Sequence, residues 1–186
     1  MDYARPFMRE GKVATYIPEL AKGDPTQLGA CIMTTRGSVY HAGDWRQEFT
    51  VQSISKTMSL IMALQTVGFE HVFSRVGVEP TGDAFNSLTK LETKTPHPLN
   101  PMINAGAIVV ASCCVGAGKT FDDFLHLVRR LCGRDSIRLN EAVYLSEKHA
   151  GNRNRSMAYL MQSGNVLDCE VEDALDFYFR MCSVSV

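Results

Sequence analysis

Apolar and polar positions follow different rhythms before and after residue 100. Toward the N-terminus the apolar runs are short and broken by turn residues. Residues 2–10 read as a short helix ended by Gly11, and Val13 to Leu20 follows with Pro18 where a first helical turn tolerates it. Leu28 to Thr35 reads as a strand, Arg36-Gly37 as a tight turn and Ser38 to His41 as a return strand, broken by Ala42-Gly43-Asp44. Phe49 to Val51 is a short extended piece leading into a helix over the rest of residues 49–66, whose run from Met58 to Leu64 has almost no polar face. A helix apolar nearly all round belongs inside a protein.

Val67 to Val76 is predicted helical, stopping near Gly77. Pro80 to Pro101 holds four prolines and little periodicity, within which Phe85 to Leu88 is a candidate short strand. Met102 to Val115 is apolar and rich in small residues, as in a closely packed buried helix. Thr120 is placed to cap the amphipathic helix Phe121 to Cys132. Helices follow at Asn140 to Ala150, Arg153 to Gln162 and Val171 to Cys182. Strands thus cluster before residue 52 and helices after residue 100, which implies a layered α and β architecture. The apolar C-terminus, Phe-Tyr-Phe-Arg-Met-Cys-Ser-Val-Ser-Val, either docks as a last strand or belongs to an incomplete domain.

Composition narrows the class. The 186 residues suit one domain, with a strand-containing part at 1–66 and a mainly helical part at 67–186. A net charge of -1 without a basic block argues against nucleic acid or an anionic membrane as partner. Six cysteines without a Cys-x-x-Cys pair, and no signal peptide, point to reduced thiols in the cytoplasm. The histidines show no metal-binding spacing, so no metal or other cofactor is expected. Gly116-Ala117-Gly118-Lys119-Thr120 fails the phosphate-loop pattern, because Cys113 stands where the first glycine is required.

The chemistry lies at the mouth of the central helix. Ser53 and Lys56 are three residues apart and would share a helix face. Desolvation and the positive helix N-terminus would lower the lysine pKa and let it take the serine proton. The same tetrad also suits an N-cap serine followed by a snorkelling lysine. Asn104 either ties down the preceding loop or contacts a ligand. Tyr16 and Tyr178 suit core aromatics as well as site residues.

Four stretches taken together change this balance: Ala14-Thr15-Tyr16-Ile17-Pro18, Gln52-Ser53-Ile54-Ser55-Lys56, Asn100 through Ala107, and Ser146-Glu147 followed by Asn152-Arg153-Asn154. Ala42-Gly43-Asp44, Phe85-Asn86-Ser87 and Asp176-Phe177-Tyr178-Phe179 extend them. In this combination and order the chain resembles the glutaminases, serine-dependent amidohydrolases related in fold to β-lactamases and penicillin-binding proteins. The resemblance implies an α+β fold with an antiparallel sheet flanked by helices. It implies hydrolysis of L-glutamine to L-glutamate and ammonia through a γ-glutamyl ester on Ser53. Lys56 would act as the base and Tyr16 would assist, while Glu147 would pair with the substrate α-ammonium. Asn104, Asn154 and Tyr178 would supply the other contacts. Family members are commonly homo-oligomers.

Family members also continue beyond this C-terminus, with a Lys-Ser-Gly-Val strand, a second tyrosine and an amide completing the oxyanion hole. The chain is therefore expected to be an N-terminal part with an incomplete sheet, weakly active or inactive alone. Two alternatives remain: a different Ser-x-x-Lys hydrolase of β-lactams, peptides or esters, and a non-catalytic chain that binds glutamine or caps an oligomer.

Overall fold

Gly37 adopts a left-handed φ of 84°, which lets the chain reverse between Gly29–Met33 (β1) and Val39–Gly43 (β2). The two strands pair antiparallel with Cys31 opposite His41, as the alternation predicts. Strand β2 runs on through Ala42 and Gly43, past the expected break. Arg5–Glu10 is helical but of the 3₁₀ type. Val13 to Leu20 does not form the expected helical turn; the chain bends there and only Leu20–Lys22 is 3₁₀. Pro18 accounts for this, since a residue before proline is steered from α toward extended backbone.

A computed structural model describes residues 1–87 and 96–186. It divides into two compact units, Met1–Phe49 with the hairpin, and Thr50–Val186. Phe85 and Asn86 form a turn rather than a strand, and Leu88 lies outside the described residues.

The second unit is helical in the order the periodicity predicts. Gln52–Ile54 is a 3₁₀ turn leading into Ser55–Thr66 (α1) and Phe69–Arg75 (α2). Asn104–Gly116 (α3) follows, with every residue from Asn104 to Cys114 buried. Its small side chains permit this: a Cβ on Gly106 would lie 1.9 Å from the Asn100 carbonyl oxygen, so only glycine lets the preceding loop cross so close. Phe121–Cys132 (α4) opens with a capping box in which Thr120 and Asp123 bond each other's backbone N–H groups, and ends at Gly133 with φ 62°. Asn140 caps Glu141–Ala150 (α5), then come Asn152–Ser163 (α6) and Val171–Cys182 (α7). Helices α1, α3 and α7 pack around a core that includes Ile108, Met161, Leu175 and Phe179.

Strands are not confined to the N-terminal region. Arg138–Leu139 (β3) pairs antiparallel with Val184–Ser185 (β4), and Thr50 bridges to Ser185. Of the apolar C-terminal stretch, Phe177 to Cys182 lies in α7 and only Val184–Ser185 is strand, Val184 being fully buried. Two-residue strands are too short to show a period of two, so the pattern cannot reveal them. Among the described residues, no single helix is long and apolar enough to cross a membrane.

Candidate active site

The entry to α1 is held from both sides. The Val51 N–H donates to the Val184 carbonyl at 2.9 Å, which ties this segment to β4. Gln52 then takes φ 46°, a left-handed value uncommon outside glycine. Its side-chain amide donates to Thr50 Oγ1 at 3.3 Å and to the Cys182 carbonyl at 3.4 Å. This backbone places Ser53 in the 3₁₀ turn with its side chain exposed. Ser55, by contrast, is fully buried, its Oγ donating to the Gln52 carbonyl at 2.6 Å and lying 3.6 Å from Cys182 Sγ. Ser53 is thus at the surface and Ser55 in the core. The positive φ of Gln52 and the Cys182 contact carry no local sequence signal, because both arise from α7 and β4 closing on the turn.

Lys56 is 2% exposed. Its Nζ donates to Asn104 Oδ1 at 2.7 Å and to the Met102 carbonyl at 3.0 Å. Burial lowers its pKa below the ordinary lysine value, with Glu147 acting weakly in the other direction. No hydrogen bond joins Ser53 to Lys56 among the described residues, so the expected hydroxyl–amine contact is not made here.

Asn104 is the hub. Besides accepting from Lys56, its Nδ2 donates to Asn154 Oδ1 at 3.2 Å, and its backbone N–H donates to the Phe85 carbonyl at 2.9 Å. It therefore ties down the loop and also belongs to the polar cluster. Arg153 Nε fixes the same turn by donating to the Asn86 carbonyl at 2.6 Å.

Glu147, on α5, is 7% exposed, and its Oε2 is buried with no hydrogen-bond partner among the described residues. Burial pushes its pKa up to about 8, against the opposing influence of a Ser183 hydrogen bond and of Lys56. A buried carboxylate oxygen left open is costly unless something charged or hydrogen-bonding meets it. Tyr178, on α7, is 2% exposed and packs edge-on against Phe179. Tyr16 belongs to the N-terminal unit, where it is 62% exposed.

A cluster of this kind can bind a cationic group at Glu147 and deprotonate a hydroxyl through Lys56. The comparisons with known proteins agree in kind. The family profile described as Glutaminase matches residues 11–186. Over 185 residues the chain is 47% identical to Glutaminase 2 of Clostridium perfringens (strain 13 / Type A) and 49% identical to a glutaminase of Clostridium botulinum (strain Loch Maree / Type A3). These matches cover 98% of this chain and 61% of each relative, so the chain spans about three-fifths of the length of the curated relatives it matches. A Bacillus glutaminase crystallised in 4.3 M NaCl superposes over the whole chain and 58% of its own, with a TM-score of 0.87 and 40% identity. A Bacillus subtilis glutaminase, in covalent complex with 5-oxo-L-norleucine formed from 6-diazo-5-oxo-L-norleucine, superposes with a TM-score of 0.85 and 38% identity, again over the whole chain and 58% of its own. With helices and small antiparallel sheets laid out as in these structures, the chain belongs to the glutaminase family.

Proposed function

We propose that this chain carries the nucleophile-bearing part of a site that hydrolyses L-glutamine to L-glutamate and ammonia. The observation that carries the reading is the setting of Lys56: buried, its pKa depressed, with its Nζ donating to the Met102 carbonyl and Asn104 Oδ1. Such an amine is a base rather than a surface charge. In this reading the Ser53 hydroxyl is brought to Lys56 Nζ, which acts as the base. The Ser53 oxygen then attacks the substrate amide carbon while its proton passes to Lys56. Collapse of the tetrahedral intermediate breaks the C–N bond and returns that proton to the leaving nitrogen as ammonia. Water then hydrolyses the γ-glutamyl ester and frees Ser53. The first N–H groups of a helix lack intrahelical partners, so the Ser53 backbone N–H is a candidate donor to the oxyanion. The covalent 5-oxo-L-norleucine complex of the Bacillus subtilis relative supports nucleophilic attack on a substrate-shaped carbonyl.

Glu147 Oε2 takes the substrate α-ammonium in this scheme, which supplies the partner that the buried oxygen lacks among the described residues. Asn104, Asn154 and Tyr178 contribute amide and phenol groups to the α-carboxylate and backbone of the substrate, and Tyr16 assists proton transfer. The free cysteines, Cys113 and Cys114 side by side among them, suit a reducing cytoplasm. The proposal extends to assembly as a homo-oligomer, which is what the family resemblance implies.

The test is ammonia release from L-glutamine by the 186-residue chain beside Ser53→Ala. Release that depends on Ser53 is the expected result. Equal release by both proteins removes Ser53 as nucleophile. If neither releases ammonia, glutamine binding lost in Glu147→Gln still supports the pocket, whereas binding that ignores Glu147 rejects it.

A further inference from the structure

Three metal-ligating side chains from separate elements converge where the proposed reaction does not use them. His71 comes from α2, Cys113 from the buried last turn of α3, and Asp168 from the connection between α6 and α7. His71 Nε2 lies 2.6 Å from Asp168 Oδ2. The imidazole nitrogen, the Cys113 sulfur and a carboxylate oxygen all lie within 4.8 Å of one another. Arg75 engages the other carboxylate oxygen, Oδ1, at 2.8 Å, and the Asp168 N–H donates to Ser112 Oγ at 3.2 Å. The carboxylate is therefore oriented from behind, with Oδ2 facing the imidazole and the thiol. Cys113 is buried and Asp168 largely so, and ligands oriented by such outer hydrogen bonds are the usual construction of a metal site.

We propose that His71 Nε2, Cys113 Sγ and Asp168 Oδ2 form a site for one divalent transition-metal ion of the zinc class. The donor set selects the ion: one thiolate and one imidazole favour zinc over calcium or magnesium, which prefer all-oxygen shells. In a tetrahedral zinc site, bonds of about 2.0–2.3 Å put neighbouring donors roughly 3.3–3.6 Å apart. To reach that spacing the His71–Asp168 pair must separate from 2.6 Å, while Cys113 Sγ starts within 4.8 Å of both. His71 is the partly exposed member, its side chain 41% exposed, so the ion enters from its side and water fills the fourth position. Burial, and after it the Asp168 carboxylate, hold the Cys113 thiol protonated. Binding therefore replaces the S–H bond by an S–metal bond, releases one proton to solvent and changes no oxidation state. The bound ion would latch α2, α3 and the start of α7 together.

The experiment is titration of the chelator-treated 186-residue chain with Co²⁺, which reports thiolate ligation as a sulfur-to-cobalt charge-transfer band, followed by displacement with Zn²⁺. The expected result is a band saturating at one equivalent and lost in Cys113→Ala. Affinity should be weaker by at least about tenfold in His71→Asn. His71→Asn leaves every thiol in place and changes a partly exposed residue, so it decides the matter even if Cys113→Ala does not fold. No band at one equivalent, or a band with unchanged affinity in His71→Asn, makes the cluster a hydrogen-bonded ion pair and overturns the proposal.

Discussion

At Glu147 the protein keeps a carboxylate where a charge is expensive. With its pKa raised to about 8 from 4.5, the folded chain holds a proton over that interval which the unfolded chain has released. The unfolded state binds fewer protons there, so stability falls as pH rises from about 4.5 to about 8 and is flat above. At roughly 1.4 kcal/mol per pKa unit the penalty is several kcal/mol. Urea denaturation against pH should show this slope, and Glu147→Gln should flatten it; an equal slope in both proteins would assign it elsewhere. Lys56 works in the opposite sense. Its pKa is depressed by burial, so between the folded value and 10.5 the folded chain releases a proton that the unfolded chain still holds, and its contribution to stability rises with pH there. Asn104→Asp puts a carboxylate on the atom now 2.7 Å from Nζ. It should raise the Lys56 pKa, read as a shift of its ε-carbon NMR titration to higher pH. A titration that stays in place would show that Nζ does not sense this oxygen. These residues were legible because they stand in a motif, which records chemistry directly. Gln52 and Cys182 were not, since a left-handed φ and a thiol beside Ser55 exist only once α7 has packed against the entry of α1.

Elements reward sequence reading where periodicity is long. Residues 121–132 and 171–182 are helical over the ranges their apolar spacing predicts. The exceptions are short or dominated by one residue: the 3₁₀ turn before α1, the bend at Pro18, and strands β3 and β4. Helix termini also carry readable chemistry. Thr120 Oγ1 accepts from the Asp123 N–H at 3.3 Å while Asp123 Oδ2 accepts from the Thr120 N–H at 2.8 Å. Thr120→Ala removes half of this exchange and should cost about 1 kcal/mol, a fall in Tm of roughly 2–4 °C for a chain of this size. Gly106→Ala is far more severe, because its methyl group meets backbone rather than a movable side chain. It should cost about 3 kcal/mol or more and displace Asn104, two residues away. Calorimetry ranks the two; a Gly106→Ala protein no less stable than Thr120→Ala would mean that the loop at Asn100 yields.

At the scale of the whole molecule the two units are unequal in how they are held. Every residue of β1 and β2 is exposed, and a two-stranded hairpin is marginal by itself in water. Helix α3 buries eleven consecutive residues among α1, α6 and α7, and its backbone cannot reach solvent without opening that core. Local opening free energies follow such differences in burial. Hydrogen exchange should therefore run in two classes: amides of β1 and β2 exchanging fast, those of α3 and α7 only through near-global unfolding. Six of the seven assigned site residues, Ser53, Lys56, Asn104, Glu147, Asn154 and Tyr178, belong to the slow unit, and Tyr16 alone to the other. If the site is as assigned, added L-glutamine should slow exchange in the first turns of α1 and α3 and around Glu147. Equal protection of hairpin and α3 without ligand would show that the hairpin is held as firmly as the core. Glutamine-dependent protection confined to residues 1–49 would move the binding site away from Glu147.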